Sequence, residues 1–334
     1  MTGNYKYIAL WLLCSLLIIA CSKDGADGND VYKPNEEAKE IGIMVNVSKM
    51  AEATRTTTYD GVSALQAEAH FTCTAYQAGT LTEYIPPSTT VDWNSTQWVF
   101  NNGNSHYYWP LPSTPGGTYP SLDFFGYMPK ASNLSTDAPY ISEIEYTAAH
   151  NVTFTCSGLP MTNAGQGSSL KEFVFGMALG KNYGNASGGV TLQFQHPFAR
   201  IKLQLAASHP DITINSITFK SIKNNGSYNH NATPKWTPSG DADFVLTLTG
   251  AAAVFNDNTS ERQIGDYYIM IPQEWAGEIV VNATWTDWGA QLAHTVSTTL
   301  PSSVTWQSGC NYTYTFTITE TDLKVNSEKY TEQW

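Results

Sequence analysis

The sequence predicts an all-β protein, and three observations support that prediction. Apolar and polar residues alternate with a period of two in most apolar runs, as they do in strands that bury one face. Segments rich in Asn and Gly, which favour tight turns, separate these runs. Aromatic residues reach 13% of the 334 residues while charged residues make up only 14%. This composition is typical of extracellular β-structure, and sandwich packing is the favoured arrangement.

The N-terminal segment predicts a lipoprotein signal. Its apolar run begins after Lys6, ends at Cys21, and is too short to span a bilayer with ordinary flanks. A small residue, Ala20, directly precedes the cysteine, which resembles a bacterial lipobox. We therefore expect residues 1–20 to be a signal peptide and Cys21 to carry a lipid anchor. An ordinary secretory signal with an unmodified Cys21 is the alternative.

The composition of the next segment and of the whole chain limits the possible partners. Residues 21–38 are mostly polar and predict a flexible tether. The formal net charge is −12, and the sequence contains no basic cluster. This charge argues against nucleic acid and against anionic lipid surfaces as partners.

The first apolar run after the tether has the pattern of a half-buried strand. Four apolar residues share one parity and alternate with other residues: Ile41, Ile43, Val45 and Val47. Similar alternation predicts strands within 190–195, 201–205, 279–285 and 312–319. The apolar parity changes between Ile214 and Ile217, which predicts a β-bulge near Asn215.

A domain boundary is expected in the Gly- and Asn-rich stretch 180–189. The predicted organisation is therefore an N-terminal β-sandwich over residues 39–187 and a C-terminal β-sandwich over residues 188–334. Each part is long enough to bury a core of its own.

Three cysteines follow the predicted lipid site: Cys73, Cys156 and Cys310. Their number is odd, so at least one is unpaired in a monomer. Cys73 and Cys156 could form a disulfide in an oxidising compartment, and buried free thiols are the alternative. No spacing typical of a metal site is present.

No residue pattern indicates catalysis, a metal or a cofactor. The seven histidines are scattered, and neither HExxH nor GxSxG occurs. His196 precedes a proline within a strand pattern, so a structural role is favoured over a ligand role. We expect no catalytic residue, no bound metal and no cofactor.

Several sequence patches, in a fixed order after the lipobox, resemble one family. They are Tyr108-Trp109-Pro110 and the segments 122–129 (LDFFGYMP), 190–201 (VTLQFQHPFARI), 268–273 (YIMIPQ) and 306–315 (WQSGCNYTYT). In this order they resemble the fimbrillin family of Bacteroidota, the lipoprotein-derived subunits of type V pili. The resemblance implies two transthyretin-like antiparallel β-sandwich domains in tandem and a location at the outer membrane and in the fimbrium. The expected partners are other pilus subunits, either copies of this chain or homologous chains, and a host or glycan receptor is a further candidate partner.

The resemblance also implies a route of assembly. A trypsin-like protease cuts after an arginine behind the first strand, that strand leaves, and a strand of the next subunit fills its groove. The matching arginine here is Arg55, and a solvated loop arginine is the alternative. The candidate donor is the C-terminal tail, where Leu323 and Val325 alternate with polar residues; a plain edge strand is the alternative.

A second functional class competes with the pilus subunit. Seven of the ten tryptophans could form an exposed platform that stacks on sugar rings in a glycan-binding surface lipoprotein: Trp93, Trp98, Trp109, Trp236, Trp275, Trp285 and Trp288. Trp288, which lies beside Asp287 and Gly289, is the best candidate for exposure. Core packing is the alternative, and it is favoured for Trp109 and Trp285, which lie in strong strand patterns.

Overall fold

The computed structural model describes residues 38–47, 62–100, 105–114, 116–167, 170–207, 212–255, 262–287, 290–300, 303–319 and 322–330. Cys21, Arg55 and Trp288 lie outside these ranges, as do the predicted signal peptide and nearly all of the tether. Strands dominate the described ranges, which confirms the predicted all-β class. No helix in these ranges is long and apolar enough to cross a membrane.

The described ranges contain three short α-helices and two 3₁₀ segments among their strands. The helices are α1 (Val62–Glu68), α2 (Leu134–Asp137) and α3 (Tyr183–Ala186), and the 3₁₀ segments are Ala131–Asn133 and Gly250–Ala253. The strands are β1 (Ile43–Val47), β2 (His70–Gln77), β3 (Glu83–Trp93), β4 (Trp98–Phe100), β5 (Leu122–Met128), β6 (Ile141–Tyr146), β7 (Val152–Cys156), β8 (Val174–Lys181), β9 (Val190–Gln195), β10 (Ala199–Ala207), β11 (Ile212–Ile222), β12 (Asn225–Asn229), β13 (Trp236–Ser239), β14 (Ala242–Thr247), β15 (Val254–Phe255), β16 (Arg262–Met270), β17 (Glu274–Trp275), β18 (Glu278–Asp287), β19 (Ala290–Thr299), β20 (Val304–Thr305), β21 (Asn311–Ile318) and β22 (Leu323–Tyr330).

The N-terminal half is built around a sheet that closes on itself. Its strand order is β1-β4-β3-β2-β5-β8-β9, and β1 completes it by pairing with both β4 and β9. The alternating side chains that point inward form one apolar core, which includes Phe71, Phe124, Leu192 and Phe194. β1 therefore contributes to the closure of the sheet as well as to its core.

The C-terminal half is a β-sandwich. One sheet has the order β16-β10-β21-β22, and the other has the order β14-β11-β18-β19 with β15 added beside β11. Their facing side chains form a second core, to which Leu203, Trp285 and Tyr314 belong. The predicted bulge is confirmed, because the register of β11 against β18 shifts between Ile214 and Ser216.

A smaller sheet joins the two halves. Its order is β13-β12-β7-β6, so strands from the C-terminal half of the sequence pair with strands from the N-terminal half. Its side chains pack on a third core that includes Phe154 and Phe175, and the indole Nε1 of Trp236 donates to the carbonyl of Pro197 at 2.7 Å.

Strand pairing also crosses the expected boundary at residues 187/188. β9 follows that boundary in the sequence, yet it pairs with β1 and β8 of the N-terminal sheet. The division into folding units at this position, and their tandem transthyretin-like character, stay predictions.

A buried polar pair marks the passage from the closed sheet to the sandwich. β9 ends at Gln195, and the next residue, His196, is buried with Nδ1 2.9 Å from Oε1 of Glu172. The following Pro197 has no amide hydrogen with which to continue the strand ladder. In this position the histidine packs inside the protein and does not line a surface site.

Candidate functional site

Strand β1 is held between two strands that are distant from it in sequence. On one side it runs parallel to β9, with five successive pairs from Ile43–Val190 to Val47–Phe194. On the other side Ile43 pairs with Trp98 of β4 in antiparallel fashion. No tight hairpin connects β1 to either neighbour, so the strand is inserted between them.

The residues just before β1 extend the pairing on the β4 side. The amide of Ile41 donates to the carbonyl of Tyr107 at 2.7 Å, and the amide of Trp109 donates to the carbonyl of Lys39 at 2.8 Å. Among the described strands, Met44 to Val47 pair with β9 alone. The N-terminal part of the segment is therefore flanked on both sides and its C-terminal part on one.

The inward face of this segment is apolar throughout, as the sequence predicted. Ile41 is 2% exposed, Ile43 5% and Val47 4%, and the half-buried Val45 packs against the same core. The residues paired with positions 43, 45 and 47 on β9 are themselves buried and apolar: Val190, Leu192 and Phe194. Three apolar pairs at alternate positions on the inward face therefore stabilise the pairing of β1 with β9.

The outward face of β1 is different in character. Met44 is 43% exposed and lies opposite Thr191. The side-chain amide of Asn46 donates to Oε1 of Gln193 at 3.0 Å. The strand is thus amphipathic, with its apolar side turned to the core and its other side turned to solvent.

Two glycines let the backbones of β1 and β9 approach closely. The amide of Val190 donates to the carbonyl of Gly42 at 2.7 Å. Gly189 has φ +123°, and a Cβ placed on it would lie 3.3 Å from the Gly42 oxygen. A side chain at position 189 would therefore meet both an unfavourable backbone conformation and a close contact.

A surface cleft opens beside β1, which forms one of its walls. The other walls of the cleft are formed by Trp98 and Val99 of β4, by Val62 and Gln66 of α1, and by residues 187–189. His106 lies at this cleft, and its Nδ1 is 2.8 Å from Oε1 of Glu40. The edge of the inserted strand is therefore accessible from outside.

The candidate donor residues lie in β22, at the edge of the C-terminal sandwich. β22 pairs with β21 through eight antiparallel positions, from Ile318–Leu323 to Asn311–Tyr330. Leu323 is buried and Val325 packs partly on the sandwich core, whereas Ser327 is exposed. In this structure the segment is an edge strand, and its role as a donor stays a prediction.

The described tryptophans considered for a glycan platform fill the interior instead. Five of them are buried, and Trp93 is half-buried against Trp98; the buried five are Trp98, Trp109, Trp236, Trp275 and Trp285. The ring of Trp109 packs edge-on against Phe124, and that of Trp275 stacks on Trp306. Core packing, the alternative to the platform, is therefore their role here.

Cys73 and Cys156 are buried free thiols, and Cys310 is buried as well. Cys73 belongs to the core of the closed sheet and Cys156 to the core of the joining sheet. Burial raises the pKa of the Cys156 thiol to about 12 and raises that of Cys73 as well. Cys73 and Cys156 therefore do not form the disulfide that the sequence allowed, and the alternative of buried free thiols applies to them.

The buried thiols lead to a testable prediction. Because the thiolate is the reactive form, Cys73 and Cys156 should not react with iodoacetamide at pH 8 in the folded protein. Both should be alkylated in urea without added reductant, as measured by peptide mass spectrometry. Labelling in urea that requires a reductant would instead reveal a disulfide.

The fold and the position of β1 define the class of this protein. It is an all-β protein in which β1 is buried and inserted between strands that are far from it in sequence. The described residues contain no cluster of side chains able to hold a metal ion. A family model described as fimbrillin-like matches residues 31–334, and the chain therefore belongs to that family. The resemblance inferred from the ordered sequence patches is confirmed.

Two solved structures of fimbrial proteins are similar to this chain, and the first, with a TM-score above 0.5, supports the fold. A fimbrial protein from Bacteroides vulgatus has a TM-score of 0.60 at 15% identity, with 88% of this chain and 100% of that chain covered. The tip fimbrial protein Mfa3 from Porphyromonas gingivalis, solved with a C-terminal truncation, has a TM-score of 0.42 at 11% identity, with 87% and 99% covered. No curated protein sequence gives a significant match.

Membership of the family fixes the broad function. The protein is a structural one and not an enzyme, and the family supports a role as a pilus subunit at the cell surface. The positions of β1 and β22 bear on how such subunits could assemble.

Proposed function

We propose that this protein is a structural or adhesive pilus subunit that is assembled from a lipoprotein precursor by strand exchange. Cys21 carries the lipid that anchors the precursor in the outer membrane. A protease cuts after Arg55, and the segment containing Ile41, Ile43, Val45 and Val47 leaves. A strand from another subunit then fills the groove between β9 and β4.

The insertion of β1 between distant strands is the observation that carries this proposal. Residues 48–61 connect β1 to α1 in the sequence, and Arg55 lies within them. A cut there would separate β1 from the rest of the fold, leaving hydrogen bonds and side-chain packing to hold it. Strand exchange requires a segment of this kind, which is deeply packed yet separable by one cleavage.

Burial supplies the driving force for refilling the groove. Full burial of an aliphatic side chain contributes roughly 1.5–3 kcal/mol, so the four inward residues of β1 contribute at most about 6–12 kcal/mol. The loss of β1 would expose the apolar face next to Phe194 and the unpaired backbone edge of β9. An extended segment of another chain could pair with this edge by β-strand addition.

The position of β22 makes it the candidate donor. It lies at the end of its sheet, and among the described strands it pairs with β21 alone. Its departure would remove Leu323 and Val325 from the sandwich without splitting the sheet. Donation from one subunit to the next is a head-to-tail contact that does not close, and such contacts produce filaments.

An exchange experiment tests the proposal. The purified chain without its signal peptide is cut with an arginine-specific protease, which spares the nearby Lys49, and cleavage after Arg55 is verified by mass. A fluorescent peptide of residues 39–47 is then added. We expect the cut protein to take up the peptide and the uncut protein to exclude it. An Arg55→Gln variant treated with the same protease is the matched control and should exclude the peptide.

Exclusion of the peptide by fully cut protein would contradict strand exchange. On cells, the proposal further requires that the pilus-associated form begins at Thr56. Surface protein that begins at Cys21 in assembled pili would contradict processing at Arg55.

A further inference from the structure

Among the described strands, four lie at the edges of the C-terminal sandwich. They are β14 and β19 in one sheet, and β16 and β22 in the other. An edge strand exposes backbone N–H and C=O groups that can pair with another chain, so proteins usually cover or charge such edges. The four edges differ in this respect, and the difference indicates where a partner can bind.

Side-chain amides cover part of the edges of β14 and β16. Asn163 donates from Nδ2 to the carbonyl of Thr247 at 2.8 Å and accepts at Oδ1 from the Thr247 amide at 3.1 Å. Gln166 donates from Nε2 to the carbonyl of Ile269 at 2.9 Å and accepts at Oε1 from the Ile269 amide at 2.8 Å. Each side chain therefore occupies both backbone groups of one edge residue, and these groups are no longer open to another strand.

The edge of β22 is charged. Three of its eight residues are charged in the sequence: Lys324, Glu328 and Lys329. Lys324 is exposed. Charged residues, and lysine above all, discourage an edge strand from pairing with a second chain, because the charge would lose solvation at the contact.

Strand β19 differs from these three edges. Its ten residues include no Asp, Glu, Lys, Arg or Pro. It pairs with β18 at ten successive positions without a register shift, so no bulge bends it away from a partner. Among the described strands it pairs with β18 alone, at the end of its sheet. A long, regular and uncharged edge of this kind favours β-strand addition.

We propose that β19 pairs in antiparallel fashion with β19 of a second copy of this chain, so that the two sheets become one continuous sheet. A contact between identical antiparallel strands has two-fold symmetry and closes on itself, so it produces a dimer. The proposal goes beyond the assembly by strand exchange, because β1 lies in the N-terminal half of the fold and stays in place.

The charge of the molecule favours β19 for a contact between identical copies. The formal net charge of the chain is −12, so two copies repel each other overall. Pairing of β19 with itself places no Asp, Glu, Lys or Arg of that strand at the contact. No like-charge pair therefore opposes the cross-strand hydrogen bonds.

The inner face of β19 complements itself when the two-fold axis passes through residue 294. The ring of His294 stacks on the buried Trp285 at 3.7 Å between centroids, which places this parity toward the sandwich interior. In this register Leu292 of each copy lies opposite Val296 of the other. Leu292 is 44% exposed in the single chain, and Val296 packs partly on the sandwich core. The contact thus forms two apolar pairs and covers an exposed leucine.

The outer face of β19 fits the same register. Ala293 of each copy lies opposite Thr295 of the other, and both side chains are exposed in the single chain. The hydroxyl of Thr295 donates to Oδ1 of Asn282 on β18 at 2.9 Å, so it is directed along its own sheet. Small side chains at these positions let the two backbones approach to hydrogen-bonding distance.

Sedimentation equilibrium of the intact, uncut chain without residues 1–20 tests the proposal. A reductant keeps Cys21 from linking two copies. We expect the dimer fraction to rise with protein concentration. Hydrogen exchange should locate the contact, because those amides of residues 292–296 that point away from β18 should exchange more slowly at high concentration than at low concentration.

Three variants separate charge from bulk and from position. Ala293→Lys should weaken dimerisation at least about tenfold, because the lysines of the two copies become diagonal neighbours across the contact. Ala293→Gln adds a long side chain without a charge and should stay within about threefold of the unmodified chain. Thr247→Lys adds the same charge at the opposite edge of the sheet and should leave dimerisation unchanged. Urea unfolding verifies that each variant is folded.

Two results would overturn the proposal. A chain that stays monomeric at every concentration does not pair with itself, and β19 then either stays unpaired or binds a strand of a different protein. A dimer that Ala293→Lys does not weaken has its contact elsewhere. Neither result bears on strand exchange, because the uncut chain retains β1 in its groove.

Discussion

Replacing Ile43 with alanine should lower the free energy of unfolding by about 2–5 kcal/mol, the range observed when a large aliphatic side chain is removed from a packed core. Ile43 is 5% exposed and is the residue at which β1 pairs with β4 as well as with β9. The substitution leaves the backbone pairing possible and removes only the side chain between the two neighbours. Urea unfolding followed by tryptophan fluorescence measures the change.

Met44→Ala is the matched control for this prediction. The two residues are adjacent in the same strand, but Met44 is 43% exposed and faces solvent. Its truncation should alter the free energy of unfolding by no more than about 0.5 kcal/mol. If the two variants were equally stable, the inward face of β1 would contribute nothing to the core, and the energetic basis of strand exchange would be lost.

Gly189→Ala should destabilise the protein by about 1–3 kcal/mol, which is the usual cost of forcing a side chain into a sparsely populated backbone region. The φ of +123° at this residue suits glycine, and the new Cβ would lie 3.3 Å from the carbonyl oxygen of Gly42. Relief of that contact would move Gly42 away from β9 and weaken the 2.7 Å hydrogen bond from the Val190 amide.

The neighbouring Gly188 provides the control for this effect. A Cβ at Gly188 would have no heavy atom within 4 Å, so Gly188→Ala should be close to neutral. The measurements are urea unfolding of the intact chain and, after cleavage at Arg55, the rate at which the β1 segment dissociates. The Gly189 variant should release the segment faster than the Gly188 variant does. Equal rates would show that the close approach of the two backbones does not retain β1.

The sequence alone was sufficient to predict the class of fold and the character of β1. A period of two in the apolar residues specifies which side chains of a strand face the core, and for Ile41, Ile43 and Val47 this prediction is confirmed by their burial. The same reasoning located the bulge between Ile214 and Ser216, because an extra residue reverses the parity of every side chain after it. The positions of Trp109 and Trp285 in the core followed from their strand patterns in the same way.

Strand partners, by contrast, could not be read from these patterns. Nothing in the alternation of 41–47 indicates that its neighbour is β9, 147 residues further along, or that the pairing is parallel. The Gly- and Asn-rich stretch 180–189 predicts a domain boundary. In the structure Gly189 begins the close contact with Gly42. The glycines are visible in the sequence, but the role of Gly189 depends on a contact with Gly42, a residue far from it in the chain.

The sequence by itself determined that this is an all-β fimbrillin-like chain with an amphipathic first strand, since periodicity and ordered motifs are local properties of the residues. The tertiary structure alone decided that this strand closes the N-terminal sheet and that β12 pairs with β7 across the halves. The physical reason is that alternation specifies only which face of a strand is buried. Pairing depends on which distant backbone edges and side chains complement one another once the whole chain is packed.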